Sequence, residues 1–128
     1  MSFADFILQH EGDDPVRLLL ARDKYPDVDI DLAVTTLEVR RKLRTKVPEW
    51  YAVPSLVYPF RLSGEQCSSS ETARYKSQVV RCHSERSEGI WRVADLTGGL
   101  GEDAGAFAQV AGEVLYNEVQ DEVARATE

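Results

Sequence analysis

The sequence predicts an α/β chain, with an N-terminal helical region followed by a short β-α-β unit, and three observations carry that reading. Asp95-Leu96-Thr97-Gly98-Gly99-Leu100-Gly101 lies between the apolar run Ile90-Trp91-Arg92-Val93-Ala94 and the helix-forming stretch Ala104 to Ala111, so it reads as strand, glycine-rich turn, helix. A second apolar run, Val114-Leu115-Tyr116, ends in Asn117-Glu118, which sets a carboxylate at the tip of the next strand. Upstream, residues 1–82 carry apolar positions at helical spacing, broken by prolines and capping residues.

Ser2 can cap a first helix with Phe3, Phe6 and Ile7 on one face, ending near Gly12. Asp14 followed by Pro15 opens a second helix with the stripe Val16, Leu19, Leu20, and Pro26 stops it. Asp29 or Asp31 starts a third, carrying Ile30, Ala33, Val34, Leu37 and Leu43. From Pro48 to Phe60 three prolines, two Tyr and a Trp predict an extended segment that wraps through aromatic anchors. Ser63-x-x-Gln66 resembles a capping box, and a helix is expected from Ser63 to Arg81. The domain reading is therefore a helical region over 1–82, an exposed loop over 83–89 and a nucleotide-binding type of unit over 90–128.

One domain's worth of chain is available in 128 residues, and 43% hydrophobic with 29% charged residues is the composition of a folded protein. A formal charge of −7 argues against binding nucleic acid through bulk electrostatics, although a local basic stripe is compatible with it. Cys67 and Cys82 form no CxxC pair and stand at no zinc-ligand spacing from His10 and His83, so no metal site is expected. No segment has the length of a membrane span and Met1 to Gln9 lacks signal-peptide character, which makes a cytoplasmic location and no membrane partner the expectation.

Glycines suit a strand-to-helix turn because the backbone must enter conformations a Cβ forbids and because a ligand must approach the main chain. The following helix turns free N–H groups and its positive dipole end toward the loop. Two cofactors compete for such a turn. Gly99-x-Gly101-x-x-Ala104 satisfies the loose dinucleotide pattern, with Glu118 about twenty residues after the glycines as the ribose acid. Asp95, Gly99 and Gly101 instead fit an S-adenosylmethionine loop, in which the acid ending the first strand accepts from the methionine ammonium. Beside a pyrophosphate the same acid would repel, so electrostatics favours S-adenosylmethionine.

The motif at 95 to 101 with Asp103, together with Glu65-Gln66-Cys67-Ser68-Ser69, Thr72-Ala73-Arg74-Tyr75-Lys76 and Arg44-Thr45-Lys46 through Trp50, resembles the class I S-adenosylmethionine-dependent methyltransferases of the Bacteroidetes type. Those larger proteins have an N-terminal helical region, a Rossmann-like methyltransferase fold and a THUMP-like C-terminal part. The resemblance implies that Asp95, Thr97, Gly98, Gly99 and Gly101 line the methionine end of S-adenosyl-L-methionine and that Glu118 takes the ribose. It departs from the family at Thr97, where a glycine is frequent, and at Glu102, where an apolar residue is usual. It also implies that the adenine contact and the catalytic, acceptor-facing motif lie beyond Glu128. This chain is then expected to be a truncated Rossmann-like unit, inactive by itself, whose exposed strand edges favour self-association.

Other constellations have plainer readings beside the functional ones. Arg40-Arg41-Lys42-Leu43-Arg44-Thr45-Lys46 is the one basic cluster. Arg41 and Arg44 are candidate contacts to an RNA acceptor, against the alternative of a solvated helix C-terminus. Tyr75 and Lys76 are candidate substrate or cofactor contacts, against core and surface roles. His10 and His83 have no nucleophile or acid nearby in sequence and are assigned no role. Two alternatives to the methyltransferase stand: a helical interaction module with a merely structural glycine loop, and an NAD-type binding fragment.

Overall fold

Capping chemistry sets the helix starts in the first half of the chain. In a computed structural model, which describes residues 1–84 and 91–127, Ser2 forms a reciprocal capping box with Asp5 at the head of α1 (Phe3–Gln9). Asp14 caps α2 (Pro15–Leu20), which opens on Pro15, and Asp29 caps α3 (Ile30–Lys46). A 3₁₀ turn, Arg22–Lys24, follows α2.

The chain divides into two compact units, Met1–Glu65 and Gln66–Glu128. In the first, Phe6 and Ile7 of α1, Leu18 of α2 and Ile30, Ala33, Val34 and Leu37 of α3 form one buried cluster. The expected α2 stripe is corrected in part: Leu19 packs against the core as expected, but Val16 and Leu20 are exposed, and Leu18 is the fully buried residue. A helix of under two turns presents only one narrow face to its neighbour. Val39 and Leu43 extend the buried side of α3, Val47 just past its end is also buried, and the Thr36 hydroxyl accepts the buried Tyr58 amide at 3.2 Å.

Two expectations for the middle of the chain are revised. Pro48 does not begin an extended stretch but starts a one-turn helix, α4 (Pro48–Tyr51), since proline at the first helical position costs no hydrogen bond. The single helix over Ser63–Arg81 is in fact two, α5 (Arg61–Gln66) and α6 (Ser70–Ser84). One local effect marks the break: the Ser69 hydroxyl accepts the Thr72 amide, which starts a new helix. Within α5, Gly64 packs so closely on Val39 that a Cβ there would lie 2.6 Å from Val39 Cγ1.

The second unit contains α6, β1 (Arg92–Asp95), α7 (Glu102–Ala108), β2 (Glu113–Tyr116) and α8 (Asp121–Thr127). Because α6 continues to Ser84, the expected loop cannot begin at 83; its remainder and Ile90 lie outside the described residues. β1 and β2 pair in parallel, with Val93 opposite Val114 and Asp95 opposite Tyr116, so this half is a β-α-β unit in a helix-rich α/β chain. α7 packs against α6 and both strands. Leu100, Ala104, Val123 and Ala73 are the buried apolar residues of this second unit. Ala94 and Leu115 face outward and are exposed.

None of the described helices is long and apolar enough to cross a membrane. Among the described residues no group of three or more His, Cys, Asp or Glu side chains is placed to hold a metal ion.

Candidate functional site

Both strands end at the same level, so the register that pairs Asp95 with Tyr116 also brings the glycine turn beside Asn117 and Glu118. Gly99 and Gly101 adopt left-handed conformations with φ of +52° and +84°, which is the reason glycine is required at these two positions. Gly101 is then the N-cap of α7, and its carbonyl accepts the Gly105 amide at 2.8 Å.

The loop amides are turned toward the protein. The Thr97 amide donates to Asp95 Oδ1 at 3.2 Å and the Gly98 amide to the Asn117 carbonyl at 2.8 Å. The Gly99 amide donates to Glu118 Oε2 at 2.8 Å and the Gly101 amide to the Gly98 carbonyl at 2.8 Å. The amides of Thr97, Gly98, Gly99 and Gly101 are therefore engaged within the protein, while no side chain caps the first turn of α7. Glu102 and Asp103 add negative charge to the first turn of α7, which offsets the dipole there. The outcome differs from the anion-accepting turn that the helix dipole alone implies: the site is rich in acceptors and negative in character.

Two carboxylates border it. Asp95 is half-buried, with Oδ1 on the Thr97 amide. Glu118 is half-buried and accepts the Gln120 amide on Oε1 at 2.9 Å as well as the Gly99 amide on Oε2. Amide donation from Gln120, then Gly99, holds its carboxyl below the usual glutamate range. A carboxylate oxygen accepts more than one hydrogen bond, so Glu118 retains capacity for ligand hydroxyls. A cleft of about 540 Å³ opens beside it, walled by the small residues Ala104, Gly105 and Ala124.

Three residues of the site were not singled out in the sequence. The Tyr116 hydroxyl donates to the Gly99 carbonyl at 2.5 Å, the Asn117 side-chain amide donates to the Leu96 carbonyl at 3.2 Å, and Thr127 of α8 lines the cleft. The available signal was position: Tyr116 and Asn117 immediately precede the acid that ends the strand.

Lys76, a candidate contact, meets the first turn of α7 from α6. Its ammonium lies 2.7 Å from Asp103 Oδ2 and 2.8 Å from Ser68 Oγ, and Ser68 donates to the same carboxylate oxygen at 2.9 Å. Tyr75, its neighbour, is exposed on α6.

In the first unit, the basic cluster is largely occupied. Arg40 is buried and donates to the Tyr51 and Val53 carbonyls at 2.9 and 3.1 Å while pairing with Glu11. Arg41 donates to the carbonyls of Glu11 and Asp13, Lys42 pairs with Glu65, and Lys46 donates to the Gly64 and Glu65 carbonyls. Arg44 is exposed, with its guanidinium 6.0 Å from the centre of the Tyr51 ring.

No protein-family model and no curated protein matches the chain. A solved structure does match: the crystal structure of a putative methyltransferase from Porphyromonas gingivalis W83, 35% identical, with a TM-score of 0.72. The match covers 97% of this chain and 29% of the other, so this chain spans less than a third of that protein's length. The chain is thus similar, over nearly its whole extent, to one part of a methyltransferase-like protein.

Proposed function

We propose that this chain is the cofactor-holding N-terminal portion of a class I S-adenosylmethionine-dependent methyltransferase, its second unit being the first β-α-β of a Rossmann-like fold. The observation that carries the reading is the orientation of the glycine loop. The amides of Gly98, Gly99 and Gly101 donate to protein acceptors, and the carboxylates of Asp95 and Glu118 flank the turn. A dinucleotide needs free amides for its pyrophosphate. S-adenosylmethionine has no phosphate and carries an ammonium and a sulfonium cation, both suited to an acceptor-rich site.

In this reading Asp95 holds the ammonium through its Oδ2, while Thr97 and the three glycines shape the turn on which the methionine part rests. Glu118 accepts the ribose hydroxyls, and the small walls of Ala104, Gly105 and Ala124 leave room beside it. The sulfonium supplies an activated methyl group when the cofactor is bound. The 35% identical neighbour supports the relationship, and the engaged loop amides weigh against the NAD-type alternative.

RNA is the acceptor class we put forward, with Arg44 as the side chain of the basic cluster best placed to meet a phosphate, since Arg41 is tied to two backbone carbonyls. Tyr75 is exposed for stacking.

Calorimetric titration with S-adenosylhomocysteine tests the cofactor assignment. Binding at millimolar affinity or tighter is expected, and Asp95→Asn, which keeps an acceptor for the Thr97 amide but removes the charge, should abolish it. Binding that is indifferent to Asp95→Asn, or preferential binding of NADH, overturns the assignment.

A further inference from the structure

Gly99 is held at both of its polar groups by two residues that stand two apart in the chain. Its amide donates to Glu118 Oε2 at 2.8 Å, and its carbonyl accepts the Tyr116 hydroxyl at 2.5 Å. The Tyr116 ring also occupies the space above Gly98, where an added Cβ would collide with ring carbons Cε2, Cδ2 and Cζ. Any apolar side chain could fill volume at the end of β2. The phenol adds a donor to that volume, and here it reaches the carbonyl of a left-handed glycine on the neighbouring turn.

We infer that Tyr116 is the positioning residue of the glycine loop, seating Gly98 with its ring and fixing the Gly99 peptide with its hydroxyl. The inference rests on the cofactor reading in one respect, namely that the loop so positioned is the one that receives S-adenosylmethionine. Its physical content is that the carbonyl bond gives the Gly99 peptide a second side-chain anchor beside Glu118. Glu118 can then direct lone pairs to ligand hydroxyls while Gly99 keeps its φ of +52°. Thr127 is a lesser partner: its Oγ1 lies 3.2 Å from the Tyr116 hydroxyl but 3.5 Å from the Gly99 carbonyl, and its own proton goes to the Val123 carbonyl at 2.7 Å.

The experiment compares the 128-residue chain with Tyr116→Phe and Thr127→Val, using amide hydrogen exchange by NMR and calorimetric titration with S-adenosylhomocysteine. Tyr116→Phe keeps the ring and removes one oxygen. Faster exchange confined to Gly99 and its loop neighbours is expected, with unchanged exchange in α6, and binding weakened about fivefold, the worth of one neutral hydrogen bond. Thr127→Val should change both much less. Unchanged exchange at Gly99 together with unchanged affinity in Tyr116→Phe overturns the inference and leaves the cofactor reading standing. If the unsubstituted chain binds no S-adenosylhomocysteine, the cofactor reading falls, and exchange at Gly99 alone decides whether Tyr116 holds the loop.

Discussion

Glu118 closes the loop that follows the other strand: its Oε2 accepts the Gly99 amide at 2.8 Å across nineteen residues of sequence. The same carboxylate caps the turn before α8 by accepting the Gln120 amide. Replacing it with alanine strands both amides, so Glu118→Ala should speed amide exchange at Gly99 and Gln120 while leaving α3, in the other unit, unchanged. Glu118→Gln, which retains one acceptor oxygen, should recover part of the protection. Equal exchange in all three proteins would show that the carboxylate does not hold the loop.

The pH dependence of that contact follows from its sign. Hydrogen bonds from Gln120 and Gly99 favour the ionised form and depress the folded-state pKa. The stabilisation is therefore complete above the ordinary glutamate value of about 4.3 and is lost as pH falls through the lower folded-state value. In an NMR titration the Glu118 side chain should titrate below exposed glutamates, and the Gly99 amide shift should follow the same curve. A Gly99 shift that stays flat through this range would contradict the contact.

Gly98→Ala should destabilise the chain by about 1–3 kcal/mol, the usual cost of forcing extra volume into a packed site. The collision is with the Tyr116 ring, so pairing the change with Tyr116→Leu should recover part of the loss. Denaturant titration of the single and double variants measures both, and purely additive losses would mean that the ring is not the obstacle.

Arg40 and Arg44 should separate stability from recognition. Arg40→Leu deletes a buried cation with two carbonyl acceptors and Glu11 as partners, and about 3–5 kcal/mol of stability is expected to go with it, as when other buried pairs lose one member. Arg44→Ala should leave thermal stability nearly unchanged and lower both RNA affinity and the slope of its salt dependence by about one phosphate contact. An unaltered salt slope would remove RNA as the partner of this cluster.

Much of this was legible because it is local. Ser2, Asp14 and Asp29 cap helices where short-range chemistry says they should, and the strand, glycine turn, helix and second strand follow from apolar runs and left-handed glycines. What stayed hidden depends on a second segment coming back. The inward turn of Arg40 is set by the carbonyls of Tyr51 and Val53, which exist as acceptors only after α4 has reversed the chain. The break at Cys67–Ser69 had a local signal in Ser69, but the capping-box pattern at Ser63 competed with it, and the close fit of Gly64 on Val39 has no signature in sequence. Tyr116 read as one more apolar strand residue, since its hydroxyl acquires a partner only when the two strands align.

Because Gly98, Gly99 and Gly101 already have protein acceptors for their amides, the turn takes its shape during folding, and a ligand arriving there finds it made. Loop ordering then subtracts nothing from the affinity. Encounter rates should accordingly vary little among substitutions in and around the turn, and differences in affinity should appear as differences in how long the ligand stays.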